Sequence, residues 1–162
     1  MDKVLFKEIQ NNTILMGAAI VSVLIFATLS ILQIGFHKQI GNHPAPNGLL
    51  LFFFAGGVAA TVLIYFQKLK VLITEREIRI SFGLLTSKIV ISRASIKGMQ
   101  IRKYNAIKEF AGWGIRYNGN QSCFTVSGSD ALEIILNTNQ IVLIGTQVPE
   151  KMQPVVDDYL NT

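Results

Sequence analysis

The sequence predicts an α+β membrane protein, in which a two-helix transmembrane hairpin precedes a small antiparallel β-barrel capped by a C-terminal helix. Three observations predict it. Between Ile14 and Phe66 the only formally charged residue is Lys38. From Leu69 onward apolar residues recur at every second position, the period of half-buried strands. The closing stretch "VPEKMQPVVDDYLNT" returns to helical spacing. Two regions follow: residues 1–68, with helices about 14–34 and 48–66, and a β-domain with its helix over residues 69–162.

The first span, Ile14 to Ile34, has 21 residues and no ionisable side chain. At about 1.5 Å per residue it covers the roughly 30 Å hydrocarbon layer of a bilayer. Gly48 to Phe66 has 19 residues and just suffices. A cleaved signal peptide is excluded by the long apolar core, by Asp2 and Glu8 ahead of it, and by the second span that follows at once. The connection "GFHKQIGNHPAPN" carries two prolines and reads as an irregular loop outside the bilayer. Lys68, Lys70, Arg76 and Arg79 follow the second span, against the single Lys38 of the loop. By the positive-inside rule both termini are cytoplasmic, which makes this an integral protein of the cytoplasmic membrane. Gly56 and Ala60 lie four apart on the second helix, with Gly57 beside them, and Ala18 and Ser22 are spaced likewise on the first. Such small-residue pairs let helix backbones approach closely in lipid, within the hairpin or between chains. Membrane segments that move ions or protons place ionisable groups at depth, and these have none. The hairpin reads as an anchor.

In the second region, "EIRISF" sets Ile78, Ile80 and Phe82 on one face; "KIVIS" does so with Ile89 and Ile91, and "GMQIRKY" with Met99 and Ile101. Turn signals fall after Thr74, at "FGLL" from Phe82 and at "SRAS" from Ser92. "GWGIRY" holds the only tryptophan. Strand alternation puts Trp113, Ile115 and Tyr117 on one face, with Trp113 as a core plug whose flanking glycines admit neighbouring surface. "YNGNQS" is a hairpin turn, since Asn and Gly tolerate positive φ. "CFTVS", "ALEIIL" and "QIVLIG" complete seven or eight strands. Cys123, the only cysteine, lies in the first of these three and reads as a small packed apolar residue. At the end Met152, Val155, Val156 and Tyr159 form one apolar helical face. Pro154 delays the regular helix toward its own position. Closing the strands into a barrel removes exposed edges, and the helix caps the open end.

The pattern "LITEREIRISFGLLTSKIVISRASIKGMQI", and more specifically "GWGIRY" followed by "FTVSG…ALEII" and "LIGTQVPEKM", resembles the bacterial pleckstrin-homology-like (PH-like) domains of small membrane proteins. The resemblance covers about Leu69 to Leu160. It implies a PH-like barrel at a membrane and a binding or scaffolding role, and it implies no reaction.

The residues themselves give no catalytic site and no cofactor. The β-domain has no histidine, which excludes a Ser–His–Asp arrangement there. His37 and His43 stand in the loop without a third metal ligand. No phosphate-cradling glycine loop of the usual spacings occurs. Adjacent Asp157 and Asp158 point different ways on a helix. The net charge of +5 is uneven: from Lys68 to Arg116 eleven Lys and Arg oppose three Glu, whereas Tyr117 to the end is net −4. The two halves either pair with each other or present a basic face to an anionic surface. Lys68, Lys70, Lys97, Arg102, Lys103 and Arg116 are the candidates for lipid or partner binding, with Lys88, Arg93 and Lys108 extending that face. Gly56, Gly57 and Ala60 are the candidates for helix packing. Nucleic acid is not expected, because no recognition helix or aromatic platform accompanies the charges. The expected function is a membrane-anchored, non-catalytic module that binds a protein or peptide partner and anionic phospholipid headgroups. The alternative is an accessory subunit of a larger membrane complex assembled through the helices.

Overall fold

The computed structural model describes residues 3–38, 40–83 and 88–161. The turn expected from Phe82 to Leu85 and the loop expected from Gly35 to Asn47 lie partly outside these residues. The chain forms two compact units, Asn12–Phe66 and a second made of Met1–Asn11 with Gln67–Thr162.

The first unit is a helical hairpin. Helix α1 (Thr13–Ser30) begins at Asn12, whose side-chain oxygen accepts the Leu15 amide at 2.9 Å, and runs into a π-helical turn over Ile31–Gly35. Helix α2 spans Asn47–Phe66. Both are long and apolar enough to cross a membrane, and almost none of their residues are buried within the protein. Unlike the core helices of a soluble domain, they leave large apolar side chains such as Ile14, Leu24, Phe52 and Leu63 exposed. The Thr28 and Thr61 hydroxyls donate to the carbonyls of Leu24 and Gly57, each at 2.8 Å, so neither is left unsatisfied. The helices meet at Gly57, where an added Cβ would lie 3.1 Å from Val23 Cγ2. Phe26 stacks on Phe53 with ring centroids 5.2 Å apart. Gln33 closes the loop end by donating to Ala45 O at 2.6 Å and Asn47 Oδ1 at 2.8 Å.

The second unit contains nine strands in two sheets. Sheet A has the order β1 (Val4–Gln10), β2 (Leu69–Thr74), β3 (Glu77–Phe82), β4 (Ile89–Ser92), all antiparallel. A three-residue 3-10 turn leads to sheet B, which comprises β5 (Ile96–Lys103), β6 (Gly114–Asn118), β7 (Gln121–Thr125), β8 (Asp130–Leu136) and β9 (Ile141–Thr146). Its order is β5-β8-β9-β7-β6. Among the described residues no ladder joins the two sheets, where alternation alone predicts a closed barrel. The pairing is also not wholly antiparallel: β7 and β9 run parallel, Cys123 opposite Leu143. That pairing brings the tight β6–β7 hairpin alongside β9 after the chain has already passed through β8.

The inner faces of both sheets and α4 (Pro149–Asn161) share one core, which contains Ile73, Ile78, Ile80, Leu132, Ile134 and Ile144. The expected face of α4 is confirmed, with Met152, Val156 and Tyr159 buried in that core and Val155 packed against it. The helix starts at Pro149 and takes Pro154 inside it, not near its beginning as the sequence predicts. Each such side chain contributes about 1.5–3 kcal/mol on burial.

Strand β1 has no counterpart in the sequence-based reading, which assigns residues 1–68 to the hairpin. It pairs with β2 from Val4↔Thr74 to Gln10↔Leu69. Its inward positions are Phe6, Glu8 and Gln10, two of them polar. The Glu8 carboxylate accepts the Thr146 hydroxyl at 2.9 Å and the Gln147 amide at 2.7 Å, while Gln10 Nε2 donates to Gly145 O at 2.5 Å. These bonds tie the first strand of sheet A to the end of β9 in sheet B. A fragment of residues 67–162 is therefore expected to be about 3–5 kcal/mol less stable than one with residues 3–11 joined ahead of it by a short glycine linker. Urea denaturation of the two fragments checks this, and equal midpoints would remove β1 from the core.

Candidate functional site

The register of sheet A gathers cations on its outer face. Lys7 lies opposite Leu72, Leu72 opposite Arg79, and Arg79 opposite Val90, one row across all four strands. In the adjacent row Ile9 lies opposite Lys70, and Lys70 opposite Ser81. Lys88 enters β4 beside them. Together they line a concavity of about 840 Å³. Residues from three separated stretches thus meet, because strands about 4.8 Å apart bring cross-strand partners into contact.

The electrostatics of this face are one-sided. Glu77 is its one outward carboxylate among the described residues, and it pairs with Arg79. Glu8 also borders the concavity, but its carboxylate is turned inward to Thr146 and Gln147. Four cations against two carboxylates, one of them turned inward, leave a net charge of +2. Between the cations stand aliphatic side chains that face water: Ile9 is 49% exposed and Val90 52%.

The candidate residues proposed from the sequence fall in different places. Lys70 belongs to this face. Lys68 is half-buried ahead of β2, where its carbonyl accepts the Gly83 amide at 2.9 Å. Lys97 and Lys103 are exposed at the two ends of β5 in sheet B, and Lys97 donates to Asn139 Oδ1 at 3.4 Å. Arg116 is exposed on β6, opposite Cys123. Arg102 is not a free cation. Its Nε donates to Glu133 at 2.5 Å and its Nη2 to Glu109 at 3.0 Å, and Gln100 also donates to Glu133 at 2.7 Å. Arg93 is likewise structural: it donates to Tyr159 O at 2.7 Å and lies 4.5 Å over the Tyr159 ring, which holds α4 in place. Lys7 and Arg79 were missing from the sequence-derived candidates, since Lys7 sits on the strand that the sequence did not reveal.

Glu109 comes from α3 (Ala106–Phe110), a short helix on the outer face of sheet B. There Tyr104, Ala106 and Phe110 cover Cys123, Ala131 and Leu143 in a second apolar cluster. The Cys123 thiol is fully buried, as expected, and burial pushes its pKa up to about 11, so it stays protonated and unreactive at neutral pH. Trp113 is not a core plug: it is 42% exposed and precedes β6, its indole N–H donating to Gly128 O at 3.2 Å. Ala111, Gly112 and Gly114 all have positive φ around it. The glycines serve that backbone path, since an added Cβ at Gly112 meets nothing within 4 Å. Tyr117 is 73% exposed, and only Ile115 of the three packs against the core. Of the helix candidates, Gly57 faces α1, whereas Gly56 has no neighbour within 4 Å of an added Cβ and Ala60 is exposed.

Comparison of the chain with protein-family models and with curated proteins finds no match to either.

The Glu109 carboxylate accepts the Asn105 amide at 2.7 Å, which with the Arg102 guanidinium holds its pKa below the ordinary 4.5. A depressed carboxyl stabilises the fold above its unfolded pKa, and that contribution disappears as pH falls through the folded value. Glu109→Gln is expected to cost up to about 1 kcal/mol at neutral pH and little at the acid end. Urea midpoints of both forms across that range check this, and a difference independent of pH would exclude the ionised pair as the cause.

Proposed function

We propose that the chain is a membrane-anchored, non-catalytic binding module of the PH-like kind, whose β-unit takes an anionic ligand on the outer face of sheet A. The ligand is an acidic segment of a protein or peptide partner, or an anionic phospholipid headgroup. The observation that carries this reading is the convergence of Lys7, Lys70, Arg79 and Lys88 on one solvent-facing surface with a single outward carboxylate among the described residues. Cations in excess of carboxylates on a rigid sheet repel one another, and a polyanion relieves that repulsion.

The membrane location is supported by two helices of sufficient length and apolarity, almost none of whose residues are buried within the protein. Removal of the first helix as a signal peptide would also remove β1, and with it Glu8 and Gln10 from the core. The cations at 68, 70, 76 and 79 support a cytoplasmic location for the β-unit and for both termini, in a cytoplasmic membrane. A sheet-built unit with a C-terminal helix packed in its core agrees with the PH-like resemblance.

The test uses the full chain in neutral detergent and a fluorescent oligo-glutamate as probe. Replacing Lys70 and Arg79 together by Glu is expected to weaken binding by about tenfold or more, since each cation near an anionic surface contributes ~1 kcal/mol. Replacing Lys97, Lys103 and Arg116 by Glu should change it by less. Equal losses in both variants would reject the sheet A face as the site.

A second reading, an accessory subunit of a larger membrane complex, is favoured by the open side of α2. Gly56 and Ala60 face away from α1 and present small residues outward. Gly56→Leu is expected to leave the hairpin intact and abolish co-purification of a partner. Gly57→Leu would instead collide with Val23 and disturb the hairpin itself. Retained co-purification with Gly56→Leu counts against this reading.

A further inference from the structure

Resting on the binding-module reading, we infer that the ligand of the sheet A face is the anionic phospholipid headgroup of the bilayer in which the chain is anchored. Three observations favour headgroups over an acidic protein segment.

The first is the pattern of the face. Cations and aliphatic side chains alternate along the row Lys7, Leu72, Arg79, Val90, and Ile9 stands opposite Lys70. The boundary of a bilayer offers phosphates immediately above apolar glycerol ester and acyl carbon, so it satisfies both kinds of side chain at once. Lysine is suited to this, since its stem lies along apolar surface while its ammonium reaches the phosphate. An acidic peptide would neutralise the cations and leave Ile9 and Val90 in water.

The second is the relief of the surface. The concavity of about 840 Å³ lies across the sheet and is half open. The described residues lining it come from the four strands or, like Lys88, from their immediate ends, so its cations are spread across the width of the sheet. It fits a surface of repeated identical charges better than a single sequence.

The third is connectivity. Asn11 and Asn12 alone separate β1 from α1, and Gln67 and Lys68 alone separate α2 from β2. Two tethers of two residues confer a very high effective concentration of headgroups on the β-unit, so contacts individually too weak to recruit a soluble protein become occupied. Each cation engaged favours an anionic over a neutral surface by roughly fivefold.

The experiment places the full chain in nanodiscs of phosphatidylcholine alone or of phosphatidylcholine with phosphatidylglycerol. Each lysine is labelled with an uncharged amine-reactive reagent, and rates are read by peptide mass spectrometry. Labelling of Lys7, Lys70 and Lys88 is expected to slow by about fivefold or more in the phosphatidylglycerol discs, with recovery in high salt. Lys97 and Lys151, outside this face, should keep their rates. Val90→Asp, an exposed change that leaves every cation in place, should reduce the protection.

Equal rates for all lysines in the two kinds of disc would overturn the inference. If oligo-glutamate binding still depends on Lys70 and Arg79 in that case, the face binds an acidic partner and the broader reading stands. If neither dependence is seen, both fall. Protection equal at every lysine would report only general attraction to the disc and would also overturn the assignment to this face.

Discussion

Glu8 reaches from β1 into the interior of the β-unit, where its carboxylate takes the Thr146 hydroxyl and the Gln147 amide. A carboxylate taken out of water costs several kcal/mol unless such donors meet it, so the bonds hold β1 in one register rather than merely decorating it. Because β1 stays in place, β2 is flanked by strands on both sides, and Leu69, Val71 and Ile73 are covered by Phe6 and its neighbours. The chain leaves this unit after Gln10 and returns at Leu69, and these two residues are partners across the ladder. The fifty-five residues of the hairpin unit are therefore an insertion between adjacent strands. The connection that closes β1 onto β2 is the pair of long apolar helices itself.

That arrangement decides which cations are free. Outward positions of β1 alternate with its buried ones, so inward Glu8 and Gln10 require outward Lys7 and Ile9. A slip of one residue would bury Lys7 and expose Phe6 and Glu8, destroying the core contact and the basic row together. On sheet B the opposite holds. Arg102 lies among Glu109, Glu133 and the Gln100 amide, and its charge binds α3 to the sheet. Arg93 does the same for α4 through Tyr159. The excess of positive charge in the first half of the β-unit thus serves two purposes: part fastens short helices to sheets, and part stands unneutralised on sheet A. The readings of pairing within the fold and of a basic face are each true of different residues.

Elements whose signal is local were legible in the sequence. The two uncharged spans, the strands with strict alternation such as Ile78 and Ile80, the Gly119 hairpin and the apolar face of α4 all follow from neighbours within a few residues. Strand β1 was not legible because its polarity runs the other way, with Glu8 and Gln10 inside and Ile9 outside. The α3 turn is too short for periodicity to reveal, and parallel pairing of β7 with β9 leaves no mark on either strand alone. Trp113 was misread because strand alternation was extended one residue past the start of β6. The site was only partly legible for the same reason as β1. Lys70 was in view, but of the partners that make it a site Arg79 is placed by the β2–β3 register and Lys7 by a register over more than sixty residues of sequence.

The distribution of buried polar groups bears on what kind of site this protein has. Catalytic centres collect titratable groups in a cleft where burial and neighbouring charge alter their acidity. Here the groups so altered serve the fold. Glu109 is held low by the Asn105 amide and Arg102 at a helix start, and the Cys123 thiol is held high by burial beneath α3. Neither opens onto the sheet A concavity, whose lining is strand residues with lysine and arginine tips in water. Its described residues set Lys7, Lys70, Arg79 and Lys88 together on the outer face of one sheet, an arrangement that attracts an anion.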